Sequence, residues 1–548
     1  MMSNMKNNIL IMFLFFALTI PAYSALLKPG MLTSHDGEGH IIRMFEFNNA
    51  ISDGHFPVRW SKRLNWGLGY PYFTFNYPLT YYLTYLMNTL GLNLLVSFKL
   101  ILLLSFPLSG YFTYLWLKNH FSKTEAFIGG LFYTLVPYHF VNVYVRGNLG
   151  ETLSLSIVPL NFYLVDRLKR KPDLIKAIWL GFCLSAVILT HNISAMLFIP
   201  VILIYSLLLN LNRNYLKYLV LGFLLPLAIT AFFWLPALIY KQFITIDQKF
   251  PLYFLKNFPS FKDLIYSPWG YGGSNTGVGQ MSVQIGLLHI LIFVFAVFLL
   301  IINLKKLKQK RVILFFLALS LASFFLMLEQ SKPVWDILKP VQYLQFPWRL
   351  LSVLSLTIAY LASFTLSIVF KIIPKKADIW VTVIIITALL FLNRNHWRAN
   401  QYYGLPEYWF LDKPVNSTTT VDGEHTPKWQ KEDSPTETNR FGIISGEAKV
   451  SNTAWKTNYH LFQTDSRLKI IMIDRTVYFP GWNVFIDGIK VKTIDQNDSK
   501  TKGLIAFEVP AGKHKIEVKL LEPPLNKAAD VITLVTVVIL IGLLYMIR

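Results

Sequence analysis

Ionisable groups are scarce in this chain, so a place where they crowd together is the first place to look for chemistry. Residues 34 to 43, SHDGEGHIIR, set His35, Asp36, Glu38, His40 and Arg43 just after the first hydrophobic segment. In a sequence that is 54% hydrophobic and 15% charged, such a knot of both signs is a site or an interface. A carboxylate there can take the proton of an attacking hydroxyl, and guanidinium groups can hold a phosphate. Further groups of the same kind are Asp53, Arg59, Arg146 and Glu151 in RGNLGE (146 to 151), His191 in THN (190 to 192) and Arg349 in QFPWR (345 to 349). Asp36, Glu38 and His40 also present oxygen and imidazole donors suited to a divalent ion. No HExxH or paired-Cys spacing accompanies them, and neither a Walker loop nor a dinucleotide fingerprint supports a nucleotide-sugar donor.

Each group has a plainer reading. Glu151 could cap the helix that follows it, and Arg146 could reach lipid head groups. His191 could make a structural hydrogen bond, and Trp348 with Arg349 could anchor a helix at the interface. If a helix starts with Ser34 as its N-cap, Asp36, His40 and Arg43 fall on one face, with Ile41, Phe45 and Ile51 on another. This describes an amphipathic helix along the membrane surface. Its charges could merely face water, but solvation alone does not require both signs and two histidines.

The elements that must position these groups follow from composition. A chain of 548 residues with mean hydropathy +0.44 and repeated apolar runs near the length of a bilayer crossing is a polytopic helical membrane protein. The net charge of +22 would suit a nucleic-acid partner, but the Lys and Arg residues fall in short loops between apolar runs. That is a topology signal, and no nucleic acid is implied. A lone cysteine, Cys183, excludes an internal disulfide and a Cys-rich metal site.

The first run, 9 to 27, has Ala22-Tyr23-Ser24 before Ala25 in the manner of a cleavage site, yet is nearly long enough to span. Retained, it leaves the N-terminus in the cytoplasm and a first outer loop over 28 to 77 carrying surface helices. The aromatic stretch 78 to 94 reads as interfacial and 96 to 117 as the second span. Further spans fall at 124 to 145, 151 to 166, 174 to 190, 193 to 211, 215 to 240, 281 to 303, 312 to 329, 350 to 370, 378 to 393 and 529 to 547, about twelve in all. Inner loops then hold Lys118, Lys123, Arg167, Lys169, Arg170, Lys171, Arg213, Lys217, Lys305, Lys306, Lys308, Lys310, Arg311, Lys371, Lys375 and Lys376. This bias puts both termini in the cytoplasm and the candidate groups outside.

A Gly-rich stretch, YSPWGYGGSNTGVGQ (266 to 280), is too polar to be helix and suits a binding loop. Residues 394 to 527 turn polar. Their second half alternates apolar and polar positions at 468 to 474, 482 to 488, 503 to 509 and 514 to 522, with a hairpin signal at Asp487-Gly488. A small extracytoplasmic β-sandwich is expected there, in which Trp455, Tyr459 and Trp482 either meet a ligand or fill the core. The domain plan is 1 to 393, a transmembrane unit; 394 to 527, a β-rich unit; and 528 to 548, a last helix.

The chain resembles the GT-C class of integral membrane glycosyltransferases, with many spans, an early acid in the first outer loop and a soluble outer unit. More narrowly, DGEGHIIR, SDGHFPVRW (52 to 60), GLGYPYFTFNYPL (67 to 79), RGNLGE, THN and FPWR resemble the bacterial membrane family labelled "6-pyruvoyl-tetrahydropterin synthase-related". YFPGWNVFIDG (478 to 488) and VPAGKH (509 to 514) are similar to the outer β-unit of proteins linked to polysaccharide or teichoic acid glycosylation. The pterin label is not read literally, since nothing here resembles the histidine-bound zinc of the soluble synthases.

The class resemblance implies a polyprenyl-phosphate-linked sugar as donor, a cell-envelope glycan or lipid as acceptor, and direct attack with inversion. It makes Asp36 the base, with Glu38 or Asp53 as runner-up. Arg146, Arg349 and His191 stand on the phosphate side, with Arg43 behind them, and His35, His40, Arg59 and Glu151 complete the candidate binding set. A flippase of lipid-linked glycans is the rival from another class, but it would carry polar groups along several spans. A non-catalytic envelope-assembly protein is the third reading, under which the first-loop acids tolerate replacement.

Overall fold

The computed structural model describes residues 2–273, 277–303, 310–404, 423–431 and 439–547. Lys305, Lys306, Lys308 and the centre of the Gly-rich stretch lie outside them. The principal helices are α1 Met2–Leu18, α2 Gly37–Ser52, α3 Leu79–Thr89, α4 Leu94–Leu117, α5 Lys123–Thr134, α6 Leu149–Arg170, α7 Leu174–Thr190 and α8 Asn192–Leu209. They continue with α9 Arg213–Ile229, α10 Ala231–Tyr240, α11 Leu287–Asn303, α12 Lys310–Met327, α13 Leu351–Ile372, α14 Lys375–Asn393 and α15 Pro524–Met546.

Each expected span contains a helix, although 281–286 of the run 281 to 303 is not helical, and the count of twelve divides differently. Among the described residues, six helices are long and apolar enough to cross a membrane, or up to nine if each bent pair is one span. The bent pairs are Lys6–Leu18 with Ile20–Leu27, Lys123–Thr134 with Pro137–Arg146, and Arg213–Ile229 with Ala231–Phe243, at 52°, 44° and 67°. Leu174–Thr190 and Leu287–Asn303 are shorter apolar helices. α6 carries Glu151 near its start and Asp166, Arg167, Lys169 and Arg170 near its end. At 11 residues, α3 is only about 16 Å long, far short of a roughly 30 Å hydrocarbon core. It is not a span.

Burial sorts centre from rim. Along Pro347–Ile372, which contains α13, 78% of the apolar stretch is buried, against 11% in α14 and in α15. The outer helices expose many large apolar side chains, including Ile379, Trp380, Ile384, Leu534 and Val538. Only a non-aqueous surround accommodates so much exposed hydrocarbon on separate helices.

The first loop is one helix, α2, one further helical turn at Tyr72–Phe75, and irregular chain. Ser34 is not its N-cap. The backbone N–H groups of His35 and Asp36 donate to the carbonyls of Val145 (2.9 Å) and Arg146 (2.8 Å), which ties 35 and 36 to another element. The helix therefore starts at Gly37 with Asp36 as N-cap. A two-residue ribbon pairs β1 Met31–Leu32 with β2 Tyr402–Tyr403.

The C-terminal part is β-rich. β4 Lys449–Trp455, β5 Tyr459–Ser466, β10 Gly512–Leu520, β7 Trp482–Ile486 and β8 Ile489–Val491 form one antiparallel sheet in that order. β3 Phe441–Ser445, β6 Ile470–Val477 and β9 Leu504–Val509 form another. The two share a core that includes Phe462, Val484 and Val518 from the first and Met472, Ile505 and Phe507 from the second. Asp487 and Gly488 take positive φ, 48° and 84°, as a tight hairpin turn between twisted strands requires. Trp482 is buried, Trp455 stacks on His460 at 3.6 Å, and the Tyr459 hydroxyl donates to Glu517.

Candidate functional site

A cavity of about 570 Å³ opens between the first loop, three turns of the bundle and the Gly-rich stretch. Asp36, His40 and Arg43 from α2 line it together with Arg146, His191 and Arg349. Four stretches far apart in sequence thus meet in one place, and the helical spacing of 36, 40 and 43 puts all three on its wall.

Arg146 is delivered by a broken helix. Pro137 forces Val136 into extended geometry (φ −70°, ψ 142°), and the helix restarted at Pro137 widens into a π-turn over Val141–Arg146. Gly147 ends it at φ 62°, and a Cβ there would overlap the Ser34 hydroxyl, so a side chain is excluded twice over. Asn148 then caps α6, its side chain accepting from the Glu151 N–H at 2.8 Å. The capping reading of Glu151 is therefore misplaced by three residues. The Glu151 carboxylate instead lies behind the cavity, 2.5 Å from Arg146 Nη1 and 3.9 Å from Arg349 Nε, with the Tyr138 hydroxyl donating to it. Arg146 also donates to Asn142 and lies 4.9 Å from the Trp348 ring.

Arg349 follows a strained turn. Gln345 takes φ 64°, costly for a residue with a Cβ. Arg349 Nη1 donates to the Leu344 carbonyl (2.9 Å) and to Gln345 Oε1 (2.6 Å). The Trp348 indole N–H lines the same wall, buried and with no hydrogen-bond partner among the described residues. Arg43 lies 5.0 Å over the Tyr72 ring and donates to its hydroxyl at 3.2 Å.

Asp36 is half-buried, and its side chain makes no capping bond to its own helix. The Asn148 amide donates to Oδ2 at 3.4 Å. His191 caps α8, with Nδ1 accepting from the Ser194 N–H at 3.2 Å. A backbone N–H can only donate, so the neutral ring carries its proton on Nε2. Burial, reinforced by the arginines, pulls the His191 pKa down to about 3. His40 and His425 fall to about 3 for the same first reason, with Arg43 next. The wall therefore carries neutral imidazoles beside fixed guanidiniums.

Not every candidate reaches the cavity. His35 does, at its rim, where Nε2 lies 3.1 Å from the Tyr271 carbonyl. Glu38 points outward and accepts from the Tyr403 hydroxyl, because the helical turn puts 38 on the far side of α2 from 36 and 40. Asp53 accepts from Lys62 at 2.8 Å and from the Thr457 N–H and hydroxyl at 2.7 Å. It joins the first loop to the β-rich part. Arg59 pairs with Asp530 (2.5 Å) and Glu522 (3.1 Å), tying the loop to α15. With Glu38 turned away, Asp36, Glu38 and His40 do not gather as a ligand set, and among the described residues no group of three His, Cys, Asp or Glu side chains is placed to hold a metal.

Several lining residues had no assigned role in the sequence reading. Tyr72, Phe75 and Tyr77 come from GLGYPYFTFNYPL, whose density of aromatics was a usable signal. Asn148 was legible as a cap. Glu424 and His425 come from an aperiodic polar stretch that gives no warning of a wall.

Against known families, residues 73–399 match the model of the "6-pyruvoyl-tetrahydropterin synthase related domain; membrane protein". The chain belongs to this family. The matched stretch of this family member holds Arg146, Glu151, His191 and Arg349 and begins after Asp36 and Arg43. An uncharacterized protein of Lactococcus lactis subsp. cremoris (strain MG1363) is 25% identical over 248 residues, which cover 43% of this chain and 40% of that protein. Among solved structures, the arabinofuranosyltransferase AftD from Mycobacteria is similar at 15% identity and TM-score 0.45, over 74% of this chain and 28% of AftD. The Archaeoglobus fulgidus oligosaccharyltransferase is similar at 13% identity and TM-score 0.49, over 78% of this chain and 61% of the other. The family member thus spans less than two thirds of each of these proteins.

Proposed function

We propose that this protein transfers a sugar from a polyprenyl-phosphate-linked donor to a hydroxyl of a cell-envelope glycan or lipid acceptor, at the outer face of the bacterial cytoplasmic membrane. The observation that carries this reading is the meeting of one carboxylate, Asp36, with the guanidiniums of Arg43, Arg146 and Arg349 and the neutral imidazole of His191 in one cavity. The class resemblance of the sequence supports the choice of donor.

The acceptor oxygen forms a bond to the anomeric carbon while the bond from that carbon to the phosphate oxygen breaks. The hydroxyl proton passes to Asp36, and the polyprenyl phosphate leaves as an anion. Phosphate is a tolerable leaving group, so no strong acid is required; cations must meet the charge it develops. Arg146 and Arg349 are held in place before the donor arrives by Glu151, Asn142, Gln345 and the Leu344 carbonyl, so little reorganisation is left for the reaction itself. His191 offers its Nε2–H to a phosphate oxygen. Direct attack inverts the anomeric centre. The part of the chain from Glu424 onward is assigned to acceptor binding, and the chemistry needs no metal ligand from Glu38.

The test is transfer by purified full-length protein supplied with polyprenyl-phosphate sugars and envelope acceptors. Asp36→Asn is expected to lower turnover by about 10²–10⁴-fold, and Glu38→Gln to leave it near wild type. Full transfer by Asp36→Asn removes Asp36 as base. Failure of wild type with every donor, joined to movement of lipid-linked glycan across liposome membranes, replaces the reading with transport.

A further inference from the structure

The helices α6 and α8 both begin at the cavity described above, where Asn148 and Asn192 line it, and both end at a second recess. That recess measures about 400 Å³. The 22 residues of α6 separate the two by roughly 30 Å at 1.5 Å per residue. The recess therefore sits at the opposite end of the bundle.

Its cations come from two elements, Lys169 and Arg170 at the end of α6 and Lys310 and Arg311 at the start of α12. None of the four has a carboxylate within ion-pair distance among the described residues; Arg170 makes a long contact to the Asn119 carbonyl, 3.4 Å. The one acid on the floor, Asp166, is already engaged. It accepts from Tyr205 (2.7 Å) and Asn119 (3.2 Å) and lies 2.8 Å from His120 Nε2, which in turn meets the Tyr205 hydroxyl at 2.9 Å. The side chains of His120 and Asp166 are 7% and 5% exposed.

Positive charge at this end of a bundle follows from topology alone. A buried polar floor does not, because polar groups among spanning helices are costly and are kept where they serve a site. Four cations around one recess suit an anion with several oxygens. Leu208, Leu209 and Val312 add an apolar flank, which suits an amphiphile whose head is charged and whose stem is not.

We propose that this recess binds a phosphate group, either the head group of an anionic phospholipid or a soluble phosphate ester, at a second site independent of the cavity around Asp36. Full-length protein, delipidated in detergent, is titrated with phosphatidic acid, phosphatidylcholine and inorganic phosphate, and occupancy is read by native mass spectrometry. Lys310→Gln/Arg311→Gln is expected to weaken phosphatidic acid binding about tenfold. Arg213→Gln/Lys217→Gln, which removes two cations at the same end but outside the recess, leaves it unchanged. Competition by inorganic phosphate together with preference for the lipid identifies a head group. Saturation by inorganic phosphate with no preference for the lipid identifies a soluble ester. Equal weakening in both double variants, no weakening in either, or equal binding of phosphatidylcholine overturns the site. If the recess double variant does not purify, Lys169→Gln alone, on an exposed side chain, takes its place and is held to the same outcomes.

Discussion

Arg146 and Glu151 form a buried ion pair that is both structural and, on the reading above, functional, and single substitutions confuse the two roles. Arg146→Met leaves the Glu151 carboxylate buried beside Arg349 at 3.9 Å and should cost about 3–5 kcal/mol of stability. The double variant Arg146→Met/Glu151→Met removes both charges and should recover most of that loss in thermal unfolding while remaining inactive. Recovery of transfer in the double variant would reduce the pair to scaffolding. The histidines give a pH signature. His40, His191 and His425 have folded values of about 3 against about 6.5 in an unfolded chain. Between these limits the unfolded chain binds protons that the folded one refuses, so stability falls as pH drops from about 6.5 toward 3 and is unaffected by these groups above that window. A thermal midpoint that rises on acidification through it would contradict their burial as neutral rings. Asp36, His40 and Arg43 were legible as one face because helical spacing is a local property. Glu38 was not separable from Asp36 by residue type, only by the turn of the helix.

Two irregular elements do the positioning, the π-turn that ends at Gly147 and the left-handed residue Gln345. Gln345→Gly should leave stability within about 1 kcal/mol of wild type, since relief of backbone strain offsets the lost side-chain bond. It should lower transfer by freeing Arg349 Nη1 from Oε1. Circular dichroism melts and turnover measured on the same preparation separate the two effects, and unchanged turnover would show that Gln345 does not aim Arg349. Strands over 470–477, 482–486, 504–509 and 512–520 were readable because apolar and polar residues alternate between turn signals, and burial follows that alternation in β6 and β7. β3, β4 and β5 precede them without that sequence pattern: the buried face of β5 carries His460, Thr464 and Ser466 beside Phe462, and the intermediate and exposed positions of β4 reflect an edge strand, where packing asks little of the sequence. Ser34 failed as a cap because a tertiary pairing with Val145 and Arg146 outranked a local preference worth about 1 kcal/mol.

At the scale of the molecule the proposal requires the β-rich part and the Asp36 cavity to face outside and the Lys310 recess to face the cytoplasm. Asn497→Cys and Lys217→Cys test this against the background of Cys183, which is buried. A membrane-impermeant maleimide added to intact cells should label position 497 and spare 217; the reverse pattern would invert the assignment and remove the outer-leaflet donor. The span positions were legible from apolar runs, whereas the bends at Thr19, Val136 and Thr230 were not, since each depends on what packs beside it. The ribbon of Met31–Leu32 with Tyr402–Tyr403 carries a further consequence, in time. At about 5–20 residues per second of synthesis, Tyr402 leaves the ribosome roughly 20–75 s after Met31. Through that interval Asp36 is already made and the strand that clamps its loop is not. Arg59 waits longer still for Asp530. Arg43, Arg146, His191 and Arg349 are all made before Tyr402, so a nascent protein halted there holds its candidate base and cations but lacks both the strand that clamps their loop and the Glu424 and His425 part of the wall.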